Sequence, residues 1–313
     1  MKRRIRFQKA VEEWLKYKRD FVKESTFMMY SEVIYNYLMP KLINKYVHDI
    51  KSEMIQEFVI EWMNNEDENE RLAESTVKNI IVILKDFLKY AKAKNYISNI
   101  DFALQLPKRV KCNKIKVLKN QEYIKLINCI NEKSDIKDIG ILFTLYTGLR
   151  IGEICALKWE NIDLESKTVN VCKTMQRIFV RENGKTYTKV VVTVPKTNSS
   201  IREIPLNNRL VEILRKIMPL DKETYFLTGK KKYIEPRTYR NSLNRLLKKH
   251  NISHINFHGL RHTFATKCIE LGADYKTVSE LLGHANVNIT LNLYVHPQIE
   301  QKRKCVELLE LIQ

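Results

Sequence analysis

Apolar residues in the first hundred positions recur every three or four residues, the spacing of helices that bury one face. Phe7, Val11, Trp14 and Leu15 mark a first helix. Tyr30, Ile34, Tyr37 and Leu38 mark a second, which Ser25 or Thr26 is placed to cap. A third runs from Ser52 through Ile55, Phe58, Val59 and Trp62. The acidic run Asn64–Glu70 reads as a loop, and a longer fourth helix runs from Glu74 to Lys94 or so, carrying Val77, Ile80, Ile81, Leu84, Leu88 and Tyr90. No strand pattern interrupts these four. Leu106-Pro107-Lys108-Arg109 then opens a polar, basic stretch, and the proline disfavours a helix running through it.

Beyond Leu118 the pattern changes. Asn120 is placed to cap a helix reaching Ile130, and a second apolar helix, Ile136 to Tyr146, meets Gly148, a C-cap signal. Ile151 to Leu157 reads as a further helix. Strand composition follows in Thr168–Val171, Arg177–Val180, Thr188–Val194 and Arg202–Leu206, with a hairpin signal at Asn183-Gly184. From Asn207 on, the pattern is helical again. The chain therefore reads as mainly α with a small antiparallel β-sheet. Its expected organisation is a helical unit over residues 1–107, a linker over 108–117, and a mixed α/β unit over 118–313.

Composition narrows the partner. The 313 residues carry 55 Lys and Arg against 36 Asp and Glu, a formal charge of +19, which suits a polyanion such as nucleic acid. Most of that excess falls after residue 110. Apolar residues make up 44% of the chain, so it can bury cores and is not a disordered basic tail. No apolar run is long enough to span a bilayer and no signal-peptide core follows the basic start. The six cysteines are scattered singly, without a C-x-x-C pair, so neither a disulfide framework nor a cysteine zinc site is signalled. A cytoplasmic protein is expected, with no membrane partner.

Five short stretches carry candidate chemistry. T-G-L-R-I-G-E places Arg150 just after a glycine helix stop, with Glu153 one turn on to orient its guanidinium. H-G-L-R-H places His258 and Arg261 on one helix face, with Gly259 offering room for close backbone approach and His262 beside them. L-L-G-H ends in His284, and Tyr294 lies ten residues later. P-K-T puts Lys196 at a turn joining two β segments, read as a hairpin tip. Arginines can clamp a phosphate, histidines can move protons, and a tyrosine hydroxyl can attack phosphorus. His258 and His262, four apart, have zinc-helix spacing, but Gly259 stands where H-E-x-x-H needs glutamate. No metal and no cofactor are expected.

In the order T-G-L-R-I-G-E, P-K-T-x-S-S-x-R-x-I-P-L, H-G-L-R-H, L-L-G-H and Y, these stretches resemble the tyrosine recombinase (phage integrase) family from Thr147 to Tyr294. The resemblance implies an N-terminal SAM-like core-binding domain and a catalytic domain that together clamp duplex DNA. It implies that Arg150 and Arg261 hold the scissile phosphate and that Lys196 protonates the leaving 5′-oxygen. His258 would assist proton transfer, His284 would bond a non-bridging oxygen, and Tyr294 would attack to give a 3′-phosphotyrosyl bond. Glu153 and His262 would support the site, and Lys108, Arg109 and Lys111 of the linker would lie along the DNA backbone. The implied activity is site-specific recombination through a Holliday junction, integrating or excising a mobile element, by a homotetramer on paired sites, with room for a directionality factor. The additional arm-binding domain of some family members is not expected here, which favours recombination at simple core sites. The apolar tail Gln298–Gln313 would dock as an exchange helix on a neighbouring protomer. The rival readings are type IB topoisomerase-like relaxation, a DNA-binding regulator without chemistry, and, most distant, a zinc hydrolase.

Overall fold

The computed structural model describes residues 4–65, 67, 70–98, 104–107, 116–182, 185–195, 198–294 and 307. They are mainly helical with a small antiparallel sheet, and they divide into two units. The first comprises Met1–Cys112 together with Ile178–Lys189, and the second comprises Asn113–Arg177 and Val190–Gln313.

The first unit holds α1 (Phe7–Arg19), α2 (Glu24–Val33), α3 (Met39–Leu42), α4 (Ser52–Asn64) and α5 (Glu74–Ala93). Its helices form where the apolar spacing places them. Phe7, Val11, Trp14 and Leu15 of α1 are buried, as are Val77, Ile80, Ile81, Leu84 and Leu88 of α5. Phe87 sits between Phe7 and Trp14, edge to face with both at 5.2 and 5.9 Å. Each such apolar side chain contributes about 1.5–3 kcal/mol on burial. The second predicted helix is corrected in two ways. It begins at Glu24 with Lys23 at the N-cap position, so Ser25 and Thr26 lie inside the first turn rather than capping it. It also continues through a π-helical turn, Ile34–Leu38, in which the Met39 N–H donates to the Ile34 carbonyl. Pro40 has no N–H to give, so the α-helical ladder cannot run through it.

The second unit opens with α6 (Asn120–Asn128), α7 (Ile136–Thr147) and α8 (Ile151–Ala156). Lys119, not Asn120, occupies the N-cap position of α6, and the Glu122 carboxylate accepts from the Lys119 N–H at 3.2 Å. Five strands follow along the chain: β1 (Ile162–Asp163), β2 (Thr168–Val171), β3 (Thr174–Glu182), β4 (Lys185–Thr193) and β5 (Arg202–Pro205), of which the Ile178–Lys189 part of β3 and β4 is assigned to the first unit. β1, β2 and β5 form an antiparallel sheet in which Val169 faces Ile204. β3 and β4 pair separately. β4 and β5 therefore do not form the expected hairpin, and Lys196 itself lies outside the described residues. β4 and β5 belong to different sheets, and the chain between them crosses over through a 3-10 turn, Asn198–Ser200. Asn183-Gly184 lies outside the described residues.

The remainder is helical: α9 (Asn208–Ile217), α10 (Pro236–Lys249), α11 (Phe257–Glu270), α12 (Tyr275–Leu282) and α13 (Val287–Tyr294). Buried residues of α7, such as Phe143 and Leu145, share one core with Trp159 and Phe226 and with Leu260 of α11. The packing of α11 on α7 brings HGLRH against the turn after α7.

Candidate active site

Two left-handed glycines end the helices that build the site. Gly148 terminates α7 with φ 66° and Gly283 terminates α12 with φ 64°, a conformation that a Cβ disfavours. Each leaves carbonyls at the negative end of a helix without intrahelical donors. Arginines take them up. Arg261 is 2% exposed, and its Nη1 donates to the Gly148 carbonyl at 2.9 Å while its Nη2 donates to that of Leu282 at 2.6 Å. Arg150 Nη2 donates to the Gly283 carbonyl at 3.1 Å, and Arg202 Nε to the Leu281 carbonyl at 2.6 Å. Three successive carbonyls at one helix end thus hold three guanidinium groups that start 133, 21 and 79 positions away in the chain.

One buried carboxylate binds two of those arginines. Arg150 is the N-cap of α8; its N–H donates to Glu153 Oε2 at 2.9 Å and its Nη1 to Oε1 at 2.7 Å. Arg202 donates to the same two oxygens, from Nη1 at 3.2 Å and from Nη2 at 3.0 Å. Burial alone would raise the Glu153 carboxyl. The Arg202 fork and charge, and then Arg150, overcome that and hold it below the usual carboxylate value. Glu153 is therefore ionised. Three guanidinium groups against one carboxylate leave an excess of positive charge, which suits a bound anion.

The histidines flank this cluster in neutral form. Burial first, then the charges of Arg261 and Arg150, lower the pKa of His258. His284 is pushed down to about 4 by burial and by the same two arginines. His262 is also pushed down to about 4, by burial, His258 and Arg261. The His258 and His262 rings meet edge to face at 4.3 Å. Thr290 of α13 lies 2.8 Å from His284 through Oγ1 and Nδ1. That contact occupies one ring nitrogen and leaves Nε2 for a ligand. The room expected beside Gly259 is filled from within the fold: a Cβ there would stand 2.3 Å from Ile255 Cγ1 and 3.0 Å from the Lys116 carbonyl.

The structure therefore brings Arg150, Glu153, His258, Arg261, His262 and His284 together. Tyr294 is the last residue of α13, and its side chain lies outside the described part of the structure. Lys196, Lys108, Arg109, Lys111 and the tail from Gln298 lie outside the described residues apart from Glu307. Two contributors escaped the sequence reading. Arg202 sits two residues before buried Ile204 on β5, and the two-residue alternation of a strand points both inward. Thr290 lies one helical turn before Tyr294. Among the described residues no three His, Cys, Asp or Glu side chains gather to hold a metal ion.

Comparison with known proteins agrees with this geometry. The sequence profile of the Phage integrase family matches residues 116–301, more than half of the chain, and that of the phage integrase N-terminal SAM-like domain matches residues 6–63. The chain belongs to the phage integrase family. It is a tyrosine recombinase, an enzyme of site-specific DNA recombination. Among its relatives, a tyrosine recombinase XerC-like protein of Caldanaerobacter subterraneus subsp. tengcongensis is 28% identical over 310 residues, covering 92% of this chain and 78% of that one. The ICEBs1 integrase of Bacillus subtilis is 26% identical over 253 residues, covering 76% and 66%. In fold, the recombinase resembles the Tn1549 transposon integrase solved with a circular intermediate DNA, with a TM-score of 0.74, 22% identity, and coverage of 96% and 98%. No helix among its described residues is long and apolar enough to cross a membrane.

Proposed function

We propose that this recombinase cuts and rejoins duplex DNA at Tyr294, with the scissile phosphate seated on the arginine cluster at the end of α12. One observation carries the reading: Arg150 and Arg261 converge on one helix terminus with a single carboxylate between three guanidinium groups. A phosphodiester supplies the missing negative charge. Arg150 and Arg261 hold its non-bridging oxygens and stabilise the five-coordinate transition state, where losing one preorganised donor costs about 10²–10³ in rate. His284, its Nδ1 engaged by Thr290, bonds a non-bridging oxygen through Nε2. The Tyr294 oxygen attacks phosphorus and the bond to the 5′-oxygen breaks. The tyrosine proton leaves towards His258, neutral at pH 7 through the burial and charges named above. Lys196 gives the departing oxygen its proton. The product is a 3′-phosphotyrosyl bond with a free 5′-hydroxyl, and attack by a 5′-hydroxyl reverses it without ATP.

The wider reading follows from this site and the family. Residues 1–107 act as the core-binding domain, 108–117 as a linker with Lys108, Arg109 and Lys111 on the DNA backbone, and 118–313 as the catalytic domain. Four copies act on two paired DNA sites and pass through a Holliday junction. The relative named as an integrase supports a mobile element as the DNA that is moved, with a directionality factor to select excision. The test is a strand-exchange assay with two sites on separate duplexes, beside a relaxation assay on a supercoiled plasmid without a site. Exchange products confined to site-bearing DNA support the reading. Site-independent relaxation without exchange would replace it with a topoisomerase-like activity, and binding without any covalent adduct would replace it with a regulator.

A further inference from the structure

Arg202 belongs to β5, where Arg202 and Ile204 face inward and Glu203 and Pro205 outward. Its side chain is 6% exposed. Four hydrogen bonds spend most of its five N–H groups: Nε to the Leu281 carbonyl at 2.6 Å, Nη1 to the Ser200 carbonyl at 3.1 Å, and the pair onto Glu153 at 3.2 and 3.0 Å. A guanidinium so engaged has little left to offer a phosphate. Its reach within the fold is wide all the same. Through Glu153 it faces Arg150, through Leu281 it grips the end of α12 that carries Gly283 and His284, and through Ser200 it grips the crossover that follows Lys196.

We infer that Arg202 is a positioning residue for strand cleavage, holding Glu153 as the anion that aims Arg150 and fixing the Asn198–Ser200 turn to the terminus of α12. This rests on the function proposed above. Glu153 is 3% exposed, and a buried carboxylate keeps its charge only while paired. With Arg202 gone, Glu153 loses the fork that holds both its oxygens in place and the first of the groups that offset its burial. A carboxylate no longer clamped from that side is free to turn, so the Arg150 guanidinium loses the fixed partner that sets its direction. The crossover loses one of its ties at the same time. Lysine can replace the charge of Arg202 but not its planar fork.

The test is a double-mutant cycle of Arg202→Met with Glu153→Gln, together with Arg202→Lys, in the full chain. Two quantities are read: affinity for a single DNA site, and the single-turnover rate of covalent adduct formation on a nicked suicide substrate at saturating enzyme. Arg202→Met is expected to bind within about 3-fold of the unsubstituted chain and to form adduct about 10²-fold more slowly. Arg202→Lys should recover part of that loss. In the Glu153→Gln background, itself slow, Arg202→Met should cost less than about 3-fold, because its principal route of action is already removed. An equal cost in both backgrounds, or an unchanged rate in Arg202→Met, overturns the role assigned to Arg202. Should Arg202→Met fail to fold, Arg202→Lys decides: a rate equal to the unsubstituted chain overturns the role, and a slower rate at unchanged affinity supports it. Adduct from the unsubstituted chain separates these outcomes from failure of the parent reading, since its absence would sink both.

Discussion

Gly283→Ala is the perturbation whose consequences the structure fixes most closely. At φ 64° a Cβ costs about 1 kcal/mol. The same Cβ would stand 2.8 Å from the Ser199 carbonyl oxygen and 3.1 Å from Arg202 Cδ and Nη1. Ser199 O is backbone and cannot swing aside as a side-chain tip would, so overpacking adds about 1–3 kcal/mol. Alanine's stiffer unfolded chain returns about 0.4–1 kcal/mol. The net loss is about 1–3.6 kcal/mol, which for a unit of this size lowers Tm by about 2–14 °C. Relief of the clash must move the end of α12 away from the crossover, and that end carries the carbonyls holding Arg150, Arg261 and Arg202. A displacement of a fraction of an ångström there should slow cleavage by about 10–10². The assay is thermal denaturation by circular dichroism, with single-turnover adduct formation measured well below the variant's Tm. A variant that melts and cleaves like the unsubstituted chain would refute the packing described for the end of α12.

Other consequences follow from the same groups. Lys196→Ala should cleave about 10²-fold more slowly, and a 5′-bridging sulfur, which leaves without a proton, should restore much of the rate; no preferential rescue would count against the general acid. His262 and His284 have folded pKa values of about 4 against about 6.5 unfolded. The unfolded chain therefore binds more protons between those values and stability falls as pH drops through that window. Tm should decline from pH 7 to 5, less steeply in His262→Gln, and an identical slope would contradict the assignment. Deleting Gln298–Gln313 should spare single-site binding yet impair paired-site assembly and exchange, read on native gels with one-site and two-site DNA. Loss of single-site binding or of folding would instead make the tail part of the chain's own core.

The helices were legible because burial in them repeats at helical spacing: Phe7, Val11 and Trp14, or Val77, Ile80 and Leu84, face the core as the pattern requires. Gly148 was legible as a stop because a left-handed terminus has few alternatives to glycine. Caps were less so. Ser25 and Thr26 have capping side chains, but α2 starts one residue before them, at Glu24. That β4 does not pair with β5 was not legible, because strand composition does not say which strand pairs with which, and β5 pairs with β2 across a long sequence separation. Of the site, the arginines and histidines stood out by type and order. Arg202 did not, because a strand arginine is usually solvated, and only its alternation with Ile204 and the three-dimensional position of Glu153 give it a place.

The covalent bond itself gives the most direct test of the account. A nicked suicide substrate carrying one site would be reacted with the full chain, the adduct digested, and the DNA-linked peptide sequenced by mass spectrometry. Linkage of Tyr294 to a 3′-phosphate, with a free 5′-hydroxyl on the other strand end and no adduct from Tyr294→Phe, is the predicted result. Linkage at Tyr275 or another residue, a 5′-phosphate linkage, or an adduct that survives Tyr294→Phe would contradict it.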